Sequence, residues 1–104
     1  MSQYYIYVLH LTTTYENPNA WNEETQSQMA AHFAYLQDLV ENKSGILVGR
    51  TEYGAGNPDL FGIVVFAADS DDDAHQIMNA DPAVVHGIMT AQVHRFLLSL
   101  LAKG

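Results

Sequence analysis

The sequence predicts a single α+β domain in which two helices cover one face of a four-stranded sheet. Two kinds of segment carry that prediction. Four short runs are rich in aromatic and β-branched residues, as strands are. Two longer stretches repeat apolar residues at three- and four-residue steps behind helix-starting residues. The length agrees, because 104 residues, 48% of them hydrophobic, suffice for one packed core.

The first strand is expected over residues 3–11, with Tyr5, Tyr7 and Leu9 on one face and Tyr4, Ile6, Val8 and His10 on the other. Both faces are largely apolar, so this strand needs cover on both sides. Residues 12–20 read as loop, broken at Asn17-Pro18-Asn19. A long helix follows from about Trp21 to Lys43, with Asn19 or Asn22 as its cap, Glu23 and Glu24 at its positive end, and Gly45 just past its stop. Its apolar stripe is Met29, Phe33, Leu36, Leu39 and Val40. His32 falls on that stripe, four residues before Leu36, and should point toward the sheet.

Gly45 to Glu52 reads as the second strand, Tyr53 to Asp59 as a loop rich in Gly, Asn and Pro, and residues 60–67 as the third strand. Gly49 and Gly62 leave room for another group to approach the backbone. The second helix starts at a Ser70 cap with an acid three residues on and stops near Asn79-Ala80. Asp81-Pro82 then opens one or two further turns closed by Gly87, because Asp can cap a first turn and Pro is pre-shaped for the position after the cap. A fourth strand is expected from Met89 to Leu98. The order is strand, helix, strand, strand, helix, strand, the ferredoxin-like split βαβ arrangement. With helices on one face only, a second copy of the chain is the natural lid for the other, and a homodimer with sheets face to face is expected.

Charge and composition exclude several functions. Twelve acids against four bases (Lys43, Arg50, Arg95 and Lys103) give a formal charge of −8, which opposes binding to nucleic acid or an anionic membrane. No run approaches the ~20 apolar residues of a membrane span. Met-Ser-Gln-Tyr-Tyr lacks the basic opening of an export signal, so a cytoplasmic protein is expected. Without cysteine there is neither disulfide nor thiolate chemistry. The densest acidic run, Asp69 to Asp73, belongs to a helix start and not to a metal site, and no cofactor is expected.

His32 and Asp81 are the candidate base and acid, held on separate rigid elements. The plain alternatives are a structural histidine with a satisfied ring and a helix cap. Arg50 is a candidate for binding an anionic group near the site, its alternative being a solvated residue. His10 reads as a strand-end residue, and His75 and His86 as surface residues.

Over nearly its whole length the chain resembles the YCII-related family of small dimeric α+β proteins. The matching pieces are His32 with Tyr35-Leu36, Gly45-Ile46-Leu47-Val48-Gly49-Arg50-Thr51, Phe61-Gly62-Ile63-Val64-Val65-Phe66, and Asp81-Pro82-Ala83-Val84 with Gly87. Ala91-Gln92-Val93-His94-Arg95-Phe96 echoes the family's last-strand pattern, with Gln92 and Arg95 standing where Glu and Pro are frequent. The resemblance implies a dimeric α/β-barrel arrangement. It also implies a dyad of His32 and Asp81 in a cleft near the dimer interface, with His94 as a further substrate-binding candidate. A few members of the family act as dehydrochlorinases or lyases on ring substrates. An imidazole supported by a carboxylate can take a proton from a carbon beside a carbonyl or from a ring hydroxyl, so a cofactor-free lyase or isomerase is the first expectation. A non-catalytic dimeric module that binds a small ligand is the second. Oxygen-dependent oxidation, known in similar two-copy folds, is the third.

Overall fold

The computed structural model describes residues 3–102. Strand β1 (Gln3–Leu11) runs through the middle of a sheet with β2 (Gly45–Arg50), β3 (Gly62–Ala68) and β4 (Met89–Arg95). The order across the sheet is β2-β3-β1-β4, and every neighbouring pair is antiparallel. Helix α1 (Glu23–Asn42) joins β1 to β2, while α2 (Asp71–Asn79) and the short α3 (Pro82–Val85) join β3 to β4. This is the ferredoxin-like fold that the element order predicts.

The alternation of β1 decides which sheet face is covered. Tyr5, Tyr7 and Leu9 are buried with Val64 and Phe66 of β3, Leu36 and Leu39 of α1, and Ala74 and Met78 of α2. Phe66 packs its ring on Tyr5 and edge-on to Tyr7, both at a centroid distance of 5.8 Å. Truncating so central a ring to alanine costs about 3–5 kcal/mol. The opposite face carries Tyr4, Ile6 and Val8 beside Ile63, Val65 and Ala67, with Leu47 next to Val65 and His94 next to Ile6. No helix among the described residues is on that side of the sheet: the core that α1 and α2 share is built on the Tyr7 face.

Four boundaries differ from expectation, each for a local reason. Helix α1 starts later, because the Asn22 side chain accepts from the Thr25 amide at 2.9 Å while Asn19 belongs to a separate 3-10 turn, Pro18–Ala20. Strand β2 stops at Arg50 and not at Glu52, because Thr51 Oγ1 closes the loop by donating to the Asp59 carbonyl and accepting from the Phe61 amide. Accordingly β3 runs over Gly62–Ala68 in place of 60–67. Strand β4 ends at Arg95; Phe96 still donates to the Tyr4 carbonyl, but Leu97 and Leu100 beyond it are 85% and 93% exposed.

The buried stripe of α1 also differs. Phe33 and Val40 are exposed, and the buried positions are Thr25, His32, Leu36 and Leu39. One residue is about 100° of helix rotation, so His32 on the buried line puts Phe33 outside it. Gly45, where α1 hands over to β2, is tightly enclosed: a Cβ there would lie 2.9 Å from backbone atoms of Leu39 and Val40. No helix among the described residues is long and apolar enough to cross a membrane.

Candidate active site

The short helix α3 exists to a large extent because of Asp81. The Asp81 side chain accepts from the Ala83 amide at 3.0 Å, Pro82 takes the first helical position, and Gly87 at φ +71° ends the segment in the left-handed region that glycine favours. The same carboxylate, fully buried, faces α1. His32 Nδ1 lies 2.5 Å from Asp81 Oδ1, and the Tyr7 hydroxyl donates to Oδ2 at 2.9 Å.

This donor pattern assigns the imidazole tautomer. With the Ala83 amide and the Tyr7 hydroxyl already donating, the carboxylate accepts at Oδ1 from a proton on His32 Nδ1. In the neutral ring the lone pair then resides on Nε2, the nitrogen turned away from Asp81. No described buried side-chain polar atom lacks a hydrogen-bond partner. Burial, followed by the nearby Asp81 charge, pushes the Tyr7 hydroxyl far above the usual tyrosine value. The same two causes raise Tyr35, whose hydroxyl donates to the Ile77 carbonyl at 2.7 Å. Both rings therefore remain neutral donors around the carboxylate.

His32 forms part of the wall of a cavity of about 600 Å³. Helix α1 contributes Met29, Phe33 and Leu36 beside it, and β1 contributes Leu9 and Leu11. Strand β2 supplies Val48, Gly49 and Arg50, and the loop that follows supplies Tyr53, Leu60 and Phe61. Trp21, just before α1, also lines it. The lining is therefore mostly apolar and rich in rings, with one imidazole and one guanidinium as its ionisable cationic groups, the usual chemistry of a pocket for a small organic molecule.

The structure brings together three of the four candidates: His32 and Asp81 by direct contact, and Arg50 on the cavity that His32 lines. His94 is not among them. It pairs with Ile6 in the sheet, and since alternate residues of a strand face opposite ways, it lies on the face away from the helices and outside the cavity of its own chain. His10, His75 and His86 are exposed and lie outside the cavity. Pattern reading missed Tyr7, which it placed in the strand without a partner for its hydroxyl, and the loop rings Tyr53 and Phe61 with Trp21. The signal for the loop rings was aromatic residues within a Gly- and Pro-rich segment, where packing alone gives little reason for them.

The profile of the YCII-related domain family matches residues 8–96, a span that includes His32, Asp81 and the whole cavity lining. The chain belongs to that family. No curated protein matches this YCII-related chain. Among solved structures it is similar to the 5-chloro-2-hydroxyhydroquinone dehydrochlorinase of Burkholderia phenoliruptrix AC1100, determined in complex with 2,5-dihydroxybenzoquinone. The TM-score is 0.65 with 21% identity, over 90% of this chain and 93% of that one, which shows a shared fold.

Proposed function

We propose that this YCII-related chain is a cofactor-free lyase or isomerase of dehydrochlorinase-like chemistry, acting on a small ring compound with the His32–Asp81 pair as general base. The observation that carries the reading is the buried carboxylate 2.5 Å from His32 Nδ1, behind a ring that borders a cavity of about 600 Å³. Nε2 takes a proton from a carbon beside a carbonyl or from a ring hydroxyl, and the electron pair left on the substrate expels a leaving group or shifts a double bond. Asp81 supports the imidazolium that results, and Tyr7 and the Ala83 amide hold Asp81 in place. The similar dehydrochlorinase supports the class of reaction; the geometry of this chain supports the roles.

The acting unit is a cytoplasmic homodimer. Support for the dimer comes from the sheet face of Tyr4, Ile6, Val8, Leu47 and Ile63, which no helix covers and which a second sheet would pack about 10 Å away. In that arrangement His94, on the same face, belongs to the interface.

A non-catalytic binding module is the competing reading, favoured by the apolar lining. Chloride release from 5-chloro-2-hydroxyhydroquinone, followed for the wild type and for His32→Gln and Asp81→Asn, decides between them. Release that both substitutions reduce by orders of magnitude supports the base. Ligand binding without release, unchanged by either substitution, leaves a binding protein.

A further inference from the structure

Of the three cations among the described residues, two are paired. Lys43 contacts Asp38 at 3.2 Å, and Arg95 holds Asp71 through Nε at 3.0 Å and Nη2 at 3.1 Å. Arg50 makes no ion pair with any described residue; the one hydrogen bond of its guanidinium is a long contact from Nη1 to the Tyr53 carbonyl at 3.5 Å. In a chain with 12 acids and a formal charge of −8, an unpaired guanidinium is the exception.

Its location gives the exception meaning. The cavity lining contains Arg50 and His32 and not one Asp or Glu. Asp81, the nearest acid to the imidazole, is fully buried behind it and does not line the cavity. With a neutral imidazole, the wall thus carries a net charge of +1 inside an acidic protein. The rest of the wall is apolar, with the rings of Trp21, Phe33, Tyr53 and Phe61 around it. Flat apolar surface selects a flat apolar body, and a guanidinium selects an oxyanion by paired hydrogen bonds that no amide can match.

We propose that the ligand of this cavity is a planar ring compound carrying one anionic oxygen group, a carboxylate or an ionised hydroxyl, and that Arg50 is the residue that selects it. This rests on the reading of the cavity as a substrate site and adds the substrate class. It also suits the chemistry of His32. Removing a proton to Nε2 leaves the electron pair on the ring compound, and the guanidinium that lines the same cavity stabilises the added negative charge.

Calorimetric titration with 2-naphthoate and with its neutral isostere 2-naphthamide tests the proposal. Low salt keeps the attraction between the carboxylate and the guanidinium unscreened, and Arg50→Gln isolates the charge being probed. Naphthoate should bind about tenfold or more tightly than the amide, the range of a hydrogen bond to a charged group. Arg50→Gln should bring the two affinities to within about twofold, and Arg50→Lys should restore part of the preference. Equal binding of the two compounds by the wild type, no naphthoate binding at millimolar concentration, or a preference that survives in Arg50→Gln each overturns the proposal. His32→Gln separates it from the base assignment. A naphthoate preference intact in His32→Gln while chloride release is unaffected means that Arg50 selects and His32 is not the base. Lost release without any naphthoate preference in the wild type means the reverse.

Discussion

Tyr7 and Asp81 lie 74 residues apart in sequence, and the hydroxyl of one donates to the carboxylate of the other at 2.9 Å. The central strand of the sheet thus fixes the acid behind His32. Tyr7→Phe removes this donor and little else. A loss of about 1–3 kcal/mol in denaturant unfolding is expected, with an intact fold. The freed Oδ2 should also change the pH profile of any turnover, which a purely structural tyrosine would leave unmoved.

The same tyrosine governs behaviour in alkali. Its hydroxyl is held far above its ordinary value of about 10, so the folded state keeps the proton while the unfolded state releases it. The resulting stability is fully present below about pH 10 and is lost as pH rises beyond it. Thermal unfolding at about pH 8 and 11 should show the wild type losing more stability than Tyr7→Phe. Equal losses would assign alkaline sensitivity elsewhere.

Asp81 serves both as cap and as partner of His32, and two substitutions separate the duties. Asp81→Asn keeps an oxygen for the Ala83 amide and should lose activity by orders of magnitude with modest loss of stability. Asp81→Ala leaves the Tyr7 hydroxyl, the Ala83 amide and His32 Nδ1 without their acceptor and should lose about 3 kcal/mol or more. Melting curves beside chloride release read out both. An active, stable Asp81→Asn would reduce the residue to a cap.

Acid acts at a different place. Arg95 first, then the Tyr5 hydroxyl at 2.6 Å, holds Asp71 below the usual carboxylate range. A depressed value means that the unfolded chain binds the proton more readily, so the contribution is present above about pH 4 and disappears as pH falls through the lower folded value. The difference in melting temperature between the wild type and Asp71→Asn should therefore be present at neutrality and shrink as pH falls below about 4.

The sheet face that no described helix covers predicts an oligomeric state. Ile6→Glu puts a charge at its centre while the helix-side core around Tyr5 and Tyr7 is untouched. Sedimentation should show a dimer for the wild type and a folded monomer for the variant. A wild type that stays monomeric at micromolar concentration removes the basis for face-to-face sheets.

Much of this architecture is written in short-range pattern. Alternation in β1 separates Tyr5, Tyr7 and Leu9 from Tyr4, Ile6 and Val8, and Asp81-Pro82 with Gly87 encloses α3. The element order follows from such local signals. Long-range relations do not: no spacing rule connects Tyr7 to Asp81, and the closure of the loop by Thr51 depends on backbone atoms of Asp59 and Phe61. Phe33 and Val40 show a related limit. Both have helical spacing to the core residues, yet the width of the contact with the sheet decides that Leu36 and Leu39 are covered and they are not.

The three residues of the buried hydrogen-bond chain enter the growing polypeptide at very different times. Tyr7 emerges among the first residues, His32 on the first helix, and Asp81 only after β3 and α2, 49 residues behind the histidine it orients. Until then Tyr7 and His32 have no common acceptor, and a nascent chain that ends before residue 81 lacks the buried hydrogen-bond chain. A chain cut before residue 81 can bury part of its hydrophobic surface, but the His32 imidazole in it has no carboxylate to hold Nδ1.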